Sequence, residues 1–320
     1  MTNKWEALIT EMKKGSIRAL TRLITRVENR EPGWMDAMKS IFPDTGNARV
    51  VGITGSPGTG KSTLTNQIAQ SLLDKGFKVG IIAVDPSSPF SGGAILGDRV
   101  RMMDVSDLEG IFVRSMATRG ALGGLNQSAR DVVKILDAFG KDYIIIETVG
   151  VGQDEVEVVR TADLVLVVCI PGQGDAVQAI KAGIMEIADI FVVNKADYDG
   201  ADQVVADIQA MLDLDMDKDA RRPPILQTIA TKGEGIPDLV EQTLTLLETL
   251  EKRVLWQETR VQEELIGLVE KEIVGLIKKN WKKDGGLDEA IKKVINRESD
   301  PYSIAQEIIS PLVPLLPGNE

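Results

Sequence analysis

The sequence predicts an α/β fold: a doubly wound, mostly parallel sheet flanked by helices, with a helical segment before it and a helical arm after it. Three observations carry that prediction. Apolar runs of strand length recur along the chain, namely RVVGIT (49–54), KVGIIAV (78–84), IFVRSM (111–116), DYIIIET (142–148), LVLVVCI (164–170), IFVVN (190–194) and ILQTIA (225–230). Their apolarity is continuous rather than alternating, which suits strands buried on both faces of a parallel sheet. Helical patterns separate them, and a glycine-rich turn joins the first run to the first of those helices.

In chain order, residues 1–47 read as a helical segment, WEALITEMKKGSIRALTRLITRVENR and WMDAMKSI, split at Glu31-Pro32-Gly33 and expected to pack on the sheet domain. Residues 48–237 form the sheet domain. Residues 238–320 form the arm, where Val240, Leu247, Val254, Val261 and Leu268 recur every seven residues through a charged segment. That spacing makes one apolar helix stripe, which either folds back on its own domain or pairs with a second copy in a homodimer.

At 320 residues, 43% hydrophobic and 27% charged, the chain can bury one large core with appendages. A net charge of -11 and a pI near 4.8 argue against a nucleic-acid surface, since a phosphate backbone would be repelled. The absence of histidine removes imidazole acid–base chemistry, Ser-His-Asp triads and most zinc sites together. Cys169, inside LVLVVCI, reads as a small buried core residue. The opening MTNKWEALIT has no leader pattern and no apolar run reaches membrane length, so a cytoplasmic protein is expected.

The turn Gly55-Ser56-Pro57-Gly58-Thr59-Gly60-Lys61-Ser62, followed by Thr63, fits GxxxxGK[ST] between a strand and a helix. This is the setting of a P-loop NTPase. Glycines let the backbone close around a phosphate, the helix N-terminus favours an anion, Lys61 reaches the β- and γ-oxygens, and Ser62 ligates Mg²⁺. A later strand ends at Glu147, followed by Thr148-Val149-Gly150, where the metal-side acid and a γ-phosphate sensor glycine belong. Glu147 stands where Asp is usual, so its longer side chain reaches the metal through a water. Asn194, Lys195 and Asp197, at the end of another strand, form an Asn-Lys-x-Asp run. Its carboxylate accepts from ring N1–H and exocyclic N2–H₂ of guanine, Lys195 covers the base face, and adenine would leave Asp197 unpaired. GTP and GDP are therefore the expected nucleotides. The Ser-Ala that usually follows is replaced by Ile229-Ala230, whose Ala230 N–H can still meet the guanine oxygen.

Taken together, GSPGTGKSTL, VDPSSPFSGGAILGDRVRM, RGALGG, IIIETVGVGQDEVEV, PGQGDAVQAIKAGIMEIADI and VVNKADYDGA resemble the MeaB/ArgK-type GTPases. These are relatives of the nickel-insertion GTPases and chaperones of adenosylcobalamin-dependent acyl-CoA mutases. The resemblance runs over about residues 48–236. It implies a Mg²⁺-dependent GTPase that gates cofactor loading of a methylmalonyl-CoA or isobutyryl-CoA mutase and protects that enzyme. It matches Asp85 and Asp98 to Mg²⁺-associated acids and the first switch, and Glu147 to the family's own Glu. It also implies that Pro171–Lys181 is a further switch facing the mutase, with Lys181 reaching the nucleotide. Two other readings are weaker. Nickel or zinc delivery lacks a His or Cys cluster, and a kinase for a basic amino acid lacks any feature that would bind one. Hydrolysis by water lacks an obvious positioning group, because Val151 follows Gly150 where Ras-like enzymes carry Gln, and Gln153 is two residues further on.

Overall fold

The structure is a computed structural model that describes residues 3–85, 108–117, 124–148, 161–172, 187–214, 222–250, 254–283 and 286–310. Three helices open the chain, α1 (Asn3–Lys13), α2 (Ile17–Glu28) and α3 (Trp34–Ile41). The sheet domain follows as β1 (Arg49–Thr54), α4 (Lys61–Asp74), β2 (Val79–Asp85), β3 (Ile111–Ala117), α5 (Gly124–Ala138), β4 (Tyr143–Thr148), β5 (Leu164–Cys169), β6 (Ile190–Asn194), α6 (Ala201–Leu214), β7 (Ile225–Thr228) and α7 (Ile236–Leu250). Beyond it come α8 (Val254–Lys283), α9 (Gly286–Ile295) and α10 (Pro301–Ile309).

Among the described residues the seven strands are all parallel, in the order β3-β2-β4-β1-β5-β6-β7. The winding reverses around β1, so the crevice at its C-terminal end is the place where such sheets take ligands. Continuous apolarity becomes two cores through the period of two along a strand. Val50, Ile144, Ile146, Val165, Val167, Phe191 and Val193 point to one face, while Val51, Ile53, Ile145, Leu164, Leu166, Val168, Ile190 and Val192 point to the other. The first face is covered by Trp5, Leu20, Leu23 and Val27 of α1 and α2, with Val132 and Ile135 of α5 and Ile208 of α6. The second is covered by Leu64, Ile68 and Leu72 of α4 and by Leu239, Val240 and Leu247 of α7.

Near the starts of β1, β2 and β5, three aspartates take backbone N–H groups. Asp142 accepts from Lys78 N at 2.7 Å, Asp163 from Val50 N at 2.8 Å and Asp189 from Val165 N at 2.9 Å. Asp137 fixes the entry to β1 by accepting from Gly46, Asn47 and Ala48 N at 2.6, 3.2 and 3.0 Å. The first helices are tied on by charge as well as packing. Arg30 donates to Asp131 at 2.6 Å and lies 4.0 Å over the Trp34 ring, while Arg114 of β3 pairs with Glu28 of α2.

Contacts divide the chain into two compact units, Met1–Lys252 and Arg253–Glu320. The heptad series divides with them, since Val240 and Leu247 are buried in the sheet core whereas Val261 of α8 is exposed and Leu268 half-buried. Leu265, Ile266, Val269 and Leu276 of α8 are exposed too. Among the described residues, no helix is long and apolar enough to cross a membrane.

Two stability outcomes follow. Asp137→Ala strips the acceptor from three N–H groups and should lower the unfolding free energy by about 2–4 kcal/mol, read from urea denaturation; a loss within error would mean that water replaces the carboxylate. Lys141 is buried with Nζ donating to Gly110 O at 2.7 Å, and burial, with Lys78 adding to it, pushes its pKa down to about 8. Below pH 8 both folded and unfolded chains hold that proton, and the charge burdens the fold. Between pH 8 and the ordinary lysine value the folded chain releases it first, so this group's contribution to stability rises with pH. Lys141→Met should accordingly raise the melting temperature at pH 7 and lose most of that advantage by pH 10.

Candidate functional site

β1 ends at Thr54, and the loop to α4 begins with Gly55 at φ +148, where a Cβ would lie 2.3 Å from Val168 O of β5. Only glycine passes that close to the neighbouring strand. The loop ends at Gly60, in left-handed backbone at φ +89, where a Cβ would meet Asn194 Nδ2 at 2.6 Å. Ser56, Pro57, Gly58 and Thr59 lie between, with Thr59 Oγ1 donating to Ser56 O at 3.0 Å. The first-turn N–H groups of α4, from Lys61 to Thr63, face the loop with no capping side chain in front of them. That is the arrangement that receives an anion.

Lys61, 5% exposed, extends its ammonium into the loop and donates to Gly55 O at 2.7 Å and Ser56 O at 3.0 Å. Ser62 Oγ donates to Glu147 Oε1 at 2.5 Å across from the penultimate residue of β4. Glu147 is buried and sits beside Ile53 in the ladder. Next to it, Thr148 Oγ1 donates to Thr54 Oγ1 at 3.1 Å, joining the two strand ends. A hydroxyl and a carboxylate touching at the mouth of a phosphate-shaped loop are hard oxygen donors, which fits Mg²⁺. Asp85 closes β2, whose register sets Ala83 beside Glu147 and Val84 beside Thr148. Its backbone thus belongs to the same sheet edge.

The Asn194–Asp197 run is joined directly to this loop. Asn194 is buried, its Nδ2 donating to Thr59 O at 2.8 Å and its Oδ1 accepting from Thr228 Oγ1 and Ala230 N, each at 3.1 Å. Lys195 takes left-handed backbone at φ +56 and donates Nζ to Gly58 O at 2.9 Å. Asp197 is partly exposed and pairs with Lys232 at 3.3 Å. Residues chosen from two distant stretches of sequence therefore form one contiguous surface. Asp98, Gly150, Val151, Gln153 and Lys181 lie outside the described residues; of Pro171–Lys181 only Pro171 and Gly172 lie within them.

Sequence reasoning did not single out Thr228, Thr54 or Lys232. Thr228 has a readable signal, being a hydroxyl at a strand end two residues before Ala230. Lys232 had none beyond its place between two turns. Cys169 is buried at the end of β5, and burial pushes its thiol up to about 12, which keeps it protonated and inert.

Residues 20–282 match the family described as methylmalonyl-CoA mutase-associated GTPase MeaB. A GTPase-named relative in Pyrococcus abyssi is 48% identical over 314 residues, covering 96% of this chain and 97% of that one. The GTPase ArgK of Escherichia coli is 37% identical over 263 residues, 80% of each chain. Among solved structures, the crystal structure of an LAO/AO transport system kinase superposes with a TM-score of 0.71 at 28% identity, over 98% of both chains.

Asn194→Ala removes the amide from three bonds in a buried place and leaves Thr59 O and Ala230 N without their side-chain partner. A loss of about 2–4 kcal/mol in unfolding free energy is expected, against roughly 1 kcal/mol for Thr228→Val, which removes one bond. Equal losses in thermal or urea unfolding would show that the amide is not the joint between the two loops.

Proposed function

This chain belongs to the MeaB/ArgK family of GTPases, and we propose that it is a Mg²⁺-dependent GTP hydrolase serving as chaperone to an adenosylcobalamin-dependent acyl-CoA mutase. The observation that carries the reading is the pair of bonds from the base motif to the phosphate loop, Asn194 to Thr59 O and Lys195 to Gly58 O. A subsite for phosphate and a subsite for a base are thereby held at fixed separation, as a nucleoside triphosphate requires.

In this reading the backbone of Gly55–Thr63 cradles the β-phosphate, and Lys61 turns from the loop carbonyls to the β- and γ-oxygens, where its charge offsets what builds on the transferring phosphoryl group. Ser62, Asp85, Asp98 and Glu147 hold Mg²⁺, which when bound neutralises charge on the phosphate oxygens. Gly150 senses the γ-phosphate. Asp197 accepts from guanine N1–H and N2–H₂, Lys195 covers the base face, and the Ala230 N–H is shared between Asn194 and the guanine oxygen. The inert Cys169 and the absence of histidine leave no His or Cys cluster for nickel or zinc delivery.

Hydrolysis by the free protein is slow in this proposal, for Val151 cannot orient water. Acceleration comes when the mutase docks and draws Pro171–Lys181, with Lys181, over the nucleotide. The family's description by that association supports the mutase as client. GTP turnover then times the delivery of adenosylcobalamin and the protection of the enzyme. A homodimer formed through the exposed apolar side chains of α8, and a cytoplasmic location with the client, complete the proposal.

Single-turnover hydrolysis tests it. Basal turnover should be on the order of 10⁻⁴ to 10⁻³ per second, and a methylmalonyl-CoA or isobutyryl-CoA mutase should raise it at least about tenfold, with Lys181→Ala cutting the accelerated rate more than the basal one. Asp197→Asn should move preference from GTP to XTP. Equal use of ATP and GTP by the unsubstituted protein would reject guanine recognition, and no response to either mutase would reject the chaperone role.

A further inference from the structure

Lys232 lies outside the Gly55–Ser62 and Asn194–Asp197 motifs, yet among the described residues it is the cation within ion-pair distance of Asp197, with Nζ 3.3 Å from Oδ2. It is carried by the loop between β7 and α7, which is closed on itself. Ile229 N donates to Glu234 O at 3.0 Å, and Lys232 N to Ile229 O at 2.9 Å. The same loop presents the Ala230 N–H that Asn194 Oδ1 accepts at 3.1 Å. Ile229 has no polar side-chain atom to offer. Both ends of the Asn194–Asp197 run are thus tied to one internally bonded loop, the first through backbone and the second through the Lys232 ammonium.

We propose that Lys232 is a positioning residue for base recognition, holding the Asp197 carboxylate in the orientation that meets ring N1–H and exocyclic N2–H₂. The inference rests on the guanine reading above. An aspartate χ2 is broad and nearly two-fold, so the carboxylate needs an outside contact to fix its plane. Each of its oxygens carries two lone pairs, which lets Oδ2 accept from Lys232 and from the base together. The ion pair orients the carboxylate without competing for it. Lys232 is half exposed and Asp197 one-third exposed, so solvent screens the pair and the effect is that of a surface bridge.

Calorimetric titration of the full-length protein with GDP and with IDP, whose base lacks the exocyclic amino group, isolates the contact that Lys232 is argued to orient. Lys232→Ala should lower the GDP-to-IDP affinity ratio about two- to fivefold, the size of an exposed ion pair, and Lys232→Arg should restore it. Added salt should shrink the ratio in the unsubstituted protein and leave it unmoved in Lys232→Ala. An unchanged ratio in Lys232→Ala overturns the proposal, including the case where both affinities fall equally through damage to the fold. So does tighter GDP binding, which would make Lys232 a competitor for Asp197. If the unsubstituted protein binds ADP as tightly as GDP, the guanine reading itself fails; if GDP is preferred over ADP but the GDP-to-IDP ratio ignores Lys232, only the positioning role is lost.

Discussion

The side-chain amide of Asn194 works as donor and acceptor at once, giving Nδ2 to Thr59 O at 2.8 Å and taking Thr228 Oγ1 and Ala230 N at 3.1 Å each. Two loops at the sheet's C-terminal edge, Gly55–Gly60 and the one between β7 and α7, are joined through that one group. The phosphate loop has no regular structure of its own to fix its height, and its end at Gly60 is pressed within 2.6 Å of the amide if a Cβ is added. The β7–α7 loop is likewise positioned through Ala230. Because Asn194 is 2% exposed, its amide cannot exchange these partners for water, and an unmet bond there would cost its full desolvation. A buried polar joint with its donor and acceptor atoms both engaged is rigid for that reason.

Rigidity at the joint is useful only if the strands below it are rigid too. Every residue of β5 and β6 is buried, and side chains alternate between two packed faces, so no strand can slip by one residue without exchanging the two cores. The aspartates before β4, β5 and β6 close the opposite edge by taking N–H groups from neighbouring strands. The residues of the candidate site thus sit at one end of a sheet whose other end is pinned.

Much of this was legible in the sequence for a physical reason. Strands buried on both faces must be apolar throughout, so seven such runs announce seven strands, and the observed ends differ from the expected ones by at most two residues. Phosphate loops and Asn-Lys-x-Asp runs are legible because glycine and carboxylate do things that other residues cannot. Contacts between stretches that are far apart in sequence were not. Nothing in GSIRALTRLITRVENR says that Glu28 meets Arg114, and nothing in TIATKGEG says that Lys232 reaches Asp197. The sevenfold spacing from Val240 to Leu268 misleads in its own way. Its first two members face the sheet core, and a later one, Val261, is exposed in the second unit. One periodicity records a helix stripe but not what the stripe packs against.

The Glu at 147 has a geometric rationale that bears on timing. Its carboxylate reaches Ser62 Oγ at 2.5 Å from a strand position one residue before the polar pair Thr54–Thr148. A shorter Asp at that place would lose one carbon of reach. The longer side chain keeps hydroxyl and carboxylate in contact, so on the proposed reading a cation must separate them to bind both. Lys61 has a similar obligation, since its ammonium is already bonded to Gly55 O and Ser56 O. Binding therefore exchanges existing bonds for new ones at both positions instead of filling idle donors, and the net gain from each exchange is smaller than the gross interaction. On the proposed reading, with no histidine to move protons and Val151 where a water-orienting side chain would stand, the site holds nucleotide better than it turns it over. On that reading the partner, rather than the protein's own side chains, decides when the phosphate bond breaks.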